Sequence, residues 1–202
     1  MPPDARGALS EPQKALVRLS AAIAAGSGED VAARARDAID AGLSRERLYE
    51  AVLQSYLFVG FPRAIEAFFA VAPVLRRRGP SAPPDLERWR REGESLCRRV
   101  YGRNYEKLVS VMRDLSPDLA DWMILEGYGK TLSRPGLDPM DREYGVVAIL
   151  TVTRMWRQLR SHAIGTVSVG GTRGGVKEAI ELCTPWCGDS VTREALAVTG
   201  LV

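Results

Sequence analysis

The sequence has 202 residues, of which 46% are hydrophobic and 26% are charged, and its formal net charge is +3. A chain of this length and composition can bury a core as one domain or two small ones, which excludes intrinsic disorder. The small net charge, with Arg scattered among Asp and Glu, argues against a nucleic-acid partner.

The cellular setting predicted from the sequence is reduced and cytoplasmic. Three cysteines are too few for a disulfide framework, and the first residues lack the basic segment and apolar core of a secretory signal. No apolar run approaches the roughly 18 residues that a membrane span needs. We therefore expect no membrane partner.

Four helices are predicted in the first 75 residues, from apolar residues at helical spacing. Capping residues, prolines and glycines mark their ends: Ser10, Pro12, Gln13, Gly42, Ser44, Gly60 and Pro62. The fourth helix is expected to open at Pro62. The basic run Arg76–Arg78 is interpreted as the end of a helix, where cations suit the macrodipole.

The rest of the chain also has a helical pattern. The Pro-rich stretch 79–84 predicts a linker, and helices are expected near 85–101, 103–114 and 117–127. Asp138 followed by Pro139 is a further N-terminal helix signature. No segment alternates with period two, so we predict an all-α helical bundle.

An internal repeat is visible when the chain is shifted by 128 positions without a gap. The identical pairs are Ala35/Ala163, Gly42/Gly170, Arg45/Arg173, Glu50/Glu178, Ala51/Ala179, Gly60/Gly188, Glu66/Glu194 and Ala67/Ala195. Chance similarity between Ala-rich helices is the alternative. The repeat predicts an N-terminal unit within residues 1–79, a linker with inserted helices over 80–135, and a C-terminal unit over 136–202.

The motifs of residues 134–170 carry a family resemblance. The stretch SRPGLD, then Arg142-Glu143, then QLRSH ending at His162, then Gly170, resembles the decarboxylase branch of the carboxymuconolactone decarboxylase family, which includes the alkylhydroperoxidase-like proteins. Shorter matches lie at 100–102 and 126–130, and in the N-terminal unit at 41–44, 50–52 and 60–64.

The resemblance implies a fold of two pseudo-symmetric alkylhydroperoxidase-like helical units. Single-unit relatives assemble into closed rings, so a homo-oligomer is expected. The implied function is a cofactor-independent decarboxylase, or a related proton-transfer enzyme, that acts on a small cyclic carboxylated molecule, lactone-like or aromatic. It requires no cofactor and no metal.

Two departures from the family pattern limit this expectation. The thiol-dependent branch has cysteines seven and four residues before its His, where this chain has Met155 and Gln158. Without a thiolate there is no nucleophile for a peroxide. In the N-terminal unit, Ala15 and Arg34 occupy the positions that match Glu143 and His162, so that unit is expected to be degenerate.

Glu143 and His162 are the candidate catalytic residues. His162 is the only histidine in the chain. A turn near 153–156 would bring the two residues together from consecutive helices. A carboxylate beside an imidazole fixes its tautomer and stabilises its protonated form, which yields a proton donor. A lone histidine is otherwise a surface residue or a satisfied core residue.

Candidate substrate contacts are Arg134, Trp156 and Tyr128. Arg134 could hold a carboxylate or lactone oxygen through two hydrogen bonds, although it could equally brace a loop. Aromatic residues at helical spacing are more often core than substrate contacts. Cys183 and Cys187 are interpreted as packed thiols rather than a redox couple, because their spacing is not that of a C-x-x-C motif.

Two other functions remain open from the sequence. A non-catalytic scaffold or ligand-binding role is the main alternative, because the N-terminal unit lacks both ionisable groups. A thiol peroxidase would have to use Cys183 and Cys187. Glu50 and Glu178, matched across the repeat, are interpreted as helix-surface or interunit residues.

Overall fold

The computed structural model describes residues 9–76 and 79–201 of the chain. Over these two ranges it contains helices and no strand, so the predicted all-α fold is confirmed. Two predictions concern residues outside the described ranges. One is that the start of the chain has no secretory signal. The other is the basic helix end, of which Arg77 and Arg78 are not described.

The chain forms two compact units. Residues Met1–Arg76 and Gly136–Val202 make one unit, and residues Arg77–Pro135 make the other. The first unit contains α1 (Glu11–Ala25), α2 (Gly28–Asp40), α3 (Arg45–Gln54), α4 (Tyr56–Val71), a 3-10 turn (Ala72–Val74), α8 (Pro139–Val152), α9 (Trp156–Ser168), α10 (Arg173–Glu181) and α11 (Thr184–Thr199). The second contains α5 (Leu86–Tyr101), a 3-10 turn (Gly102–Asn104), α6 (Tyr105–Leu115), α7 (Pro117–Trp122) and a π-helix (Met123–Leu132).

Helix ends in the first unit follow the predicted capping residues. The backbone N–H of Ser10 donates to Gln13 Oε1 at 2.9 Å ahead of α1. Ser44 Oγ accepts from the backbone N–H of Arg47 at 3.2 Å and caps α3. Such side-chain contacts satisfy backbone groups that the first turn of a helix leaves without partners. The local signals therefore place these helix starts correctly.

The helices before residue 76 and after residue 136 have matching bounds. Helices α1, α2, α3 and α4 start 128 residues before α8, α9, α10 and α11, respectively. Gly60 within α4 has φ 77° and ψ 167°, and Gly188 within α11 has φ 80° and ψ 162°. Only glycine adopts this conformation without strain. These correspondences support the repeat, although duplication of one motif stays a prediction.

Helix α4 differs from its prediction in two ways. It starts at Tyr56 rather than at Pro62, and Gly60 interrupts it. With the following 3-10 turn it also forms an apolar stretch of 19 residues, Tyr56–Val74, long and apolar enough to cross a membrane by length and composition alone. The prediction that no run approaches that length is therefore wrong. Phe61, Ile65 and Phe69 are exposed along this helix.

A buried ion pair links the two halves of the first unit. Arg142 Nη2 of α8 donates to Glu50 Oε2 of α3 at 3.0 Å, and the two side chains are only 2% and 1% exposed. Arg142 Nε also donates to the carbonyl of Leu137 at 3.1 Å, and Nη1 donates to Gln54 Oε1 at 3.3 Å. These bonds are what a buried guanidinium requires. The surface interpretation of Glu50 is wrong, and the interunit interpretation is right.

A second, more exposed pair links the same halves at the matching positions. Lys14 Nζ of α1 lies 3.4 Å from Glu178 Oε1 of α10, with the side chains 23% and 26% exposed. Glu178 also accepts from the backbone N–H of Leu9 at 2.6 Å. Lys14 and Glu178 lie 128 positions from Arg142 and Glu50, so each half supplies one cation and one carboxylate to the other.

In the second unit, the backbones of α5 and the π-helix approach each other closely. Gly93 of α5 and Gly129 of the π-helix leave no space for a side chain, because a Cβ atom at either position would collide with the opposite backbone. The predicted α-helix over 117–127 is instead α7 followed by the π-helix, which continues to Leu132. The spacing of apolar residues in the sequence did not distinguish the wider turn of a π-helix from that of an α-helix.

Candidate active site

Helices α8 and α9 position the two candidate catalytic residues. Helix α8 begins after Asp138 with Pro139 in its first turn, as predicted, and ends at Val152. A turn of three residues leads to the start of α9 at Trp156, and the two helices pack against each other. Glu143, in the first turns of α8, thus faces His162, near the middle of α9.

Glu143 and His162 form a direct contact. His162 Nδ1 lies 2.8 Å from Glu143 Oε2, and both residues are buried, at 7% and 4% exposure. An ionised carboxylate only accepts hydrogen bonds, so Nδ1 donates to Glu143. The predicted proximity of the two residues is confirmed, while the catalytic role of the pair stays a prediction.

The remaining contacts of His162 hold its ring and leave one ring nitrogen available. The Phe58 ring of α4 meets the imidazole edge to face, with centroids 5.7 Å apart. Thr166 Oγ1 donates to the His162 carbonyl at 2.8 Å. Nε2 has no hydrogen bond within the described part of the chain. The sequence did not single out Phe58, since it lies far from His162 along the chain.

Three consecutive charged residues of α8 are buried and have different partners. Asp141 accepts from Gln13 Nε2 at 2.7 Å and also pairs with Arg47. Arg142 binds Glu50, as described above, and only Glu143 contacts the histidine. Asp141 and Arg142 therefore anchor the start of α8, next to Glu143, to helices α1 and α3.

The matching positions of the first half hold a different arrangement. Ala15 is buried at 5% exposure, and Arg34 pairs with two aspartates of its own helix, Asp30 at 3.3 Å and Asp37 at 2.8 Å. An arginine stays protonated at all physiological pH values and does not serve as a proton donor. Among the described residues of this unit, the contact between a carboxylate and an imidazole is therefore at Glu143 and His162, and the matching positions have no such contact.

The comparison with protein families agrees with the sequence motifs. The family model described as "Carboxymuconolactone decarboxylase family" matches residues 4–73. The chain is therefore similar to the carboxymuconolactone decarboxylase family over this segment. The matched segment covers the half with Ala15 and Arg34, whereas the motifs around Glu143 and His162 lie outside it.

Two curated proteins are similar to this chain. Peroxisomal protein 2 of Schizosaccharomyces pombe is 28% identical over 139 residues, which are 66% of this chain and 65% of that protein. Nitrosuccinic acid decarboxylase of Metarhizium robertsii is 25% identical over 115 residues, 54% of this chain and 76% of that protein. The chain thus spans slightly less than two thirds of the first relative.

The candidate substrate contacts lie in both units. Trp156 is partly buried and packs against the core that also contains Leu159 and Ala163. Tyr128 is 4% exposed within the 77–135 unit, where its ring packs edge to face against Tyr101 at 6.2 Å. Arg134 belongs to the same unit. A substrate-binding role for Arg134, Trp156 and Tyr128 stays a prediction.

Cys183 and Cys187 are free thiols with structural contacts. Cys183 is fully buried, and its Sγ donates to the carbonyl of Ala179 at 3.2 Å. Burial raises the pKa of the Cys183 thiol well above its usual range, which opposes formation of a thiolate. Cys187 Sγ donates to the carbonyl of Cys183 at 3.3 Å. These contacts support the interpretation as packed thiols.

Replacing both thiols tests that interpretation. The double variant Cys183→Ser/Cys187→Ser is expected to keep kcat within about twofold, because neither sulfur contacts Glu143 or His162 and serine can keep the bonds to the carbonyls. The measurement is turnover of the folded variant, with circular dichroism as the control for folding. A folded variant without turnover would show that the thiols take part in the reaction.

Metal binding has no support in the described ranges 9–76 and 79–201. They contain no group of three or more His, Cys, Asp or Glu side chains arranged to hold an ion. Protein metal sites of the catalytic type use about three such ligands.

Proposed function

We propose that the chain is a cofactor-independent decarboxylase, or a closely related proton-transfer enzyme, with Glu143 and His162 as its acid/base pair. The observation that carries this proposal is the buried 2.8 Å contact between the two residues, together with a ring nitrogen that has no hydrogen bond with the described residues. The match of residues 4–73 to the carboxymuconolactone decarboxylase family and the similarity to a nitrosuccinic acid decarboxylase support it.

The chemistry requires few groups on the protein. Cleavage of the C–C bond releases carbon dioxide and leaves the bonding electron pair on the substrate carbon. An adjacent carbonyl, alkene or nitro group must delocalise that pair. The carbanion then takes a proton from His162 Nε2, and the imidazole regains a proton from water. General acid catalysis of this kind contributes about 10²–10⁴-fold in rate.

Glu143 makes His162 a suitable donor. Its carboxylate accepts from Nδ1, so the protonated ring keeps the Nε2 proton directed away from the pair. The ion pair is shielded from water, because both residues are buried. Electrostatic interactions are stronger in such surroundings than in water. The edge of the Phe58 ring prevents the imidazole from turning away.

The substrate class follows from this chemistry. The family resemblance implies a small cyclic acid, lactone-like or aromatic. The relative from Metarhizium robertsii has a name that indicates an acyclic acid with a nitro group. Both types place an electron-withdrawing group near the carboxylate that leaves. We propose a small acid of this general kind and include both types in the test.

The test is a screen for released carbon dioxide, run in deuterium oxide. Carboxylated lactones, aromatic acids with electron-withdrawing groups, and nitro-substituted dicarboxylic acids are incubated with the protein. A true substrate is expected to release carbon dioxide and to gain one deuterium at the carbon that lost it, with defined stereochemistry. Racemic deuteration, or no release with any of the three classes, would contradict a proton delivered by the protein.

A non-catalytic role is the second candidate. The observation in its favour is the half with Ala15 and Arg34, which lacks an acid/base pair, and the relative named peroxisomal protein 2, whose name states no reaction. In that case the chain binds a small ligand and the His162→Ala variant leaves its affinity unchanged. The proposed cytoplasmic location and homo-oligomeric state apply to both candidates.

A further inference from the structure

A cleft lies in the first unit beside Arg34, away from the Glu143–His162 pair. Its volume is about 740 Å³, within the range typical of sites for small molecules. Both halves of the unit contribute to it, through α1 and α2 and through the end of α10 and the start of α11. The lining residues are Arg18, Asp30, Arg34, Glu181, Leu182, Thr184, Pro185 and Trp186.

The position of this cleft matches that of the active pair across the repeat. Arg34 corresponds to His162, and Trp186 corresponds to Phe58, each by the shift of 128 positions. Phe58 packs against His162, whereas Trp186 Nε1 donates to Asp30 Oδ2 at 2.5 Å, beside Arg34. The first half thus has a site in the same place with different chemistry.

The charges that line the cleft are unevenly paired. Asp30 is engaged by Trp186 and Arg34, and Glu181 pairs with Lys177. Arg18 forms no hydrogen bond or ion pair with any described residue. Arg34 Nη1 pairs with Asp37 at 2.8 Å and its buried Nε lies 3.3 Å from Asp30, whereas its Nη2 forms no hydrogen bond with a described residue. The groups left available are therefore two guanidinium donors, which favour an anion.

The lining from the other half of the unit is partly apolar. Leu182, Pro185 and Trp186 contribute to it, together with Glu181 and Thr184. An indole and a proline ring offer flat surfaces on which an aromatic or conjugated body can pack. We infer that this cleft is a second ligand site, which binds a small carboxylate with a flat apolar body through Arg18 and Arg34. Because arginine does not release its proton, the site binds its ligand and does not transform it.

The sign of the recognised charge can be tested with three probes of nearly equal shape. Benzoate, benzamide and benzamidine are titrated into the full chain by isothermal calorimetry, with NMR chemical shifts as a second readout. Benzoate is expected to bind more tightly than benzamide by about tenfold, as for a charge-assisted contact. Benzamidine is expected to bind least. Preference for benzamidine, or no benzoate binding at millimolar concentration, would overturn the inference.

Substitutions of single arginines test where benzoate binds. Arg18→Gln is expected to weaken benzoate binding by about tenfold, since it removes a cation that has no partner among the described residues. Arg36→Gln, an exposed arginine on α2, is the matched control and is expected to change affinity by less than about twofold. Unchanged affinity in a folded Arg18→Gln variant would contradict the inference. Arg34→Gln gives the same test for the second donor, unless it fails to fold, in which case Arg18→Gln decides.

A third variant separates this site from the active pair. His162→Ala is expected to retain benzoate binding, because His162 does not line the cleft. If His162→Ala abolishes binding while Arg18→Gln does not, the probe occupies the site of Glu143 and His162, and the second site is refuted. Loss of turnover with intact benzoate binding leaves this inference standing independently of the proposed reaction.

Discussion

Replacing His162 with alanine is expected to lower kcat by about two to four orders of magnitude, the usual contribution of a general acid. Alanine removes the Nε2 proton, and the structure offers no second histidine in its place. The value of KM is expected to change by less than about threefold, because the lost interaction operates in the transition state rather than in substrate binding. The measurement is steady-state release of carbon dioxide.

A matched control for this variant lies on the same helix. Arg160→Ala alters an exposed residue two positions away and is expected to keep kcat within about twofold. Glu143→Gln keeps the size of the side chain and removes its charge, so its kcat is expected to fall between those of wild type and His162→Ala. If His162→Ala retains wild-type kcat while folded, His162 is not the proton donor and the scaffold function gains support.

Replacing Glu50 with alanine is expected to cost about 3–5 kcal/mol of unfolding free energy. The change leaves the Arg142 guanidinium buried at 2% exposure without its acidic partner. Glu178→Ala, at the matching position of the other half, is expected to cost only about 1 kcal/mol, since its pair with Lys14 is partly exposed to water. Urea unfolding followed by circular dichroism gives both values.

A double variant checks the cause of that loss. Glu50→Leu/Arg142→Met removes both charges and keeps much of the buried volume, so it is expected to recover at least half of the stability lost by Glu50→Ala. An equal loss in the two variants would show that the carboxylate acts through packing or other hydrogen bonds, and not through compensation of the Arg142 charge.

Local signals predicted the helices that position Glu143 and His162. Asp138 and Pro139 fix the start of α8, and the family motif placed His162 on the next helix after a short turn. These features depend on residues that are neighbours in sequence, so they can be recognised without the fold. The contact between Glu143 and His162 then follows from two consecutive helices that pack together.

Contacts between segments that are far apart in the chain could not be predicted from the sequence. The Phe58 ring reaches His162 only because α4 of one half packs against the other half. The partner of Arg142 also comes from α3, and the only sequence signal for it was the identity of Glu50 and Glu178 across the repeat. The start of α4 was misplaced because Gly60 breaks the helix at one residue while Tyr56 already lies in it.

The two reciprocal ion pairs join the halves of the first unit as contacts between two subunits join a dimer, but within one polypeptide. In a dimer of identical subunits every substitution occurs twice, once on each side of the axis. A fused chain is released from that constraint. One half can therefore have a carboxylate and an imidazole at Glu143 and His162 while the other half has Ala15 and Arg34 at the matching positions. A substitution in one half of such a chain leaves the matching residue of the other half unchanged.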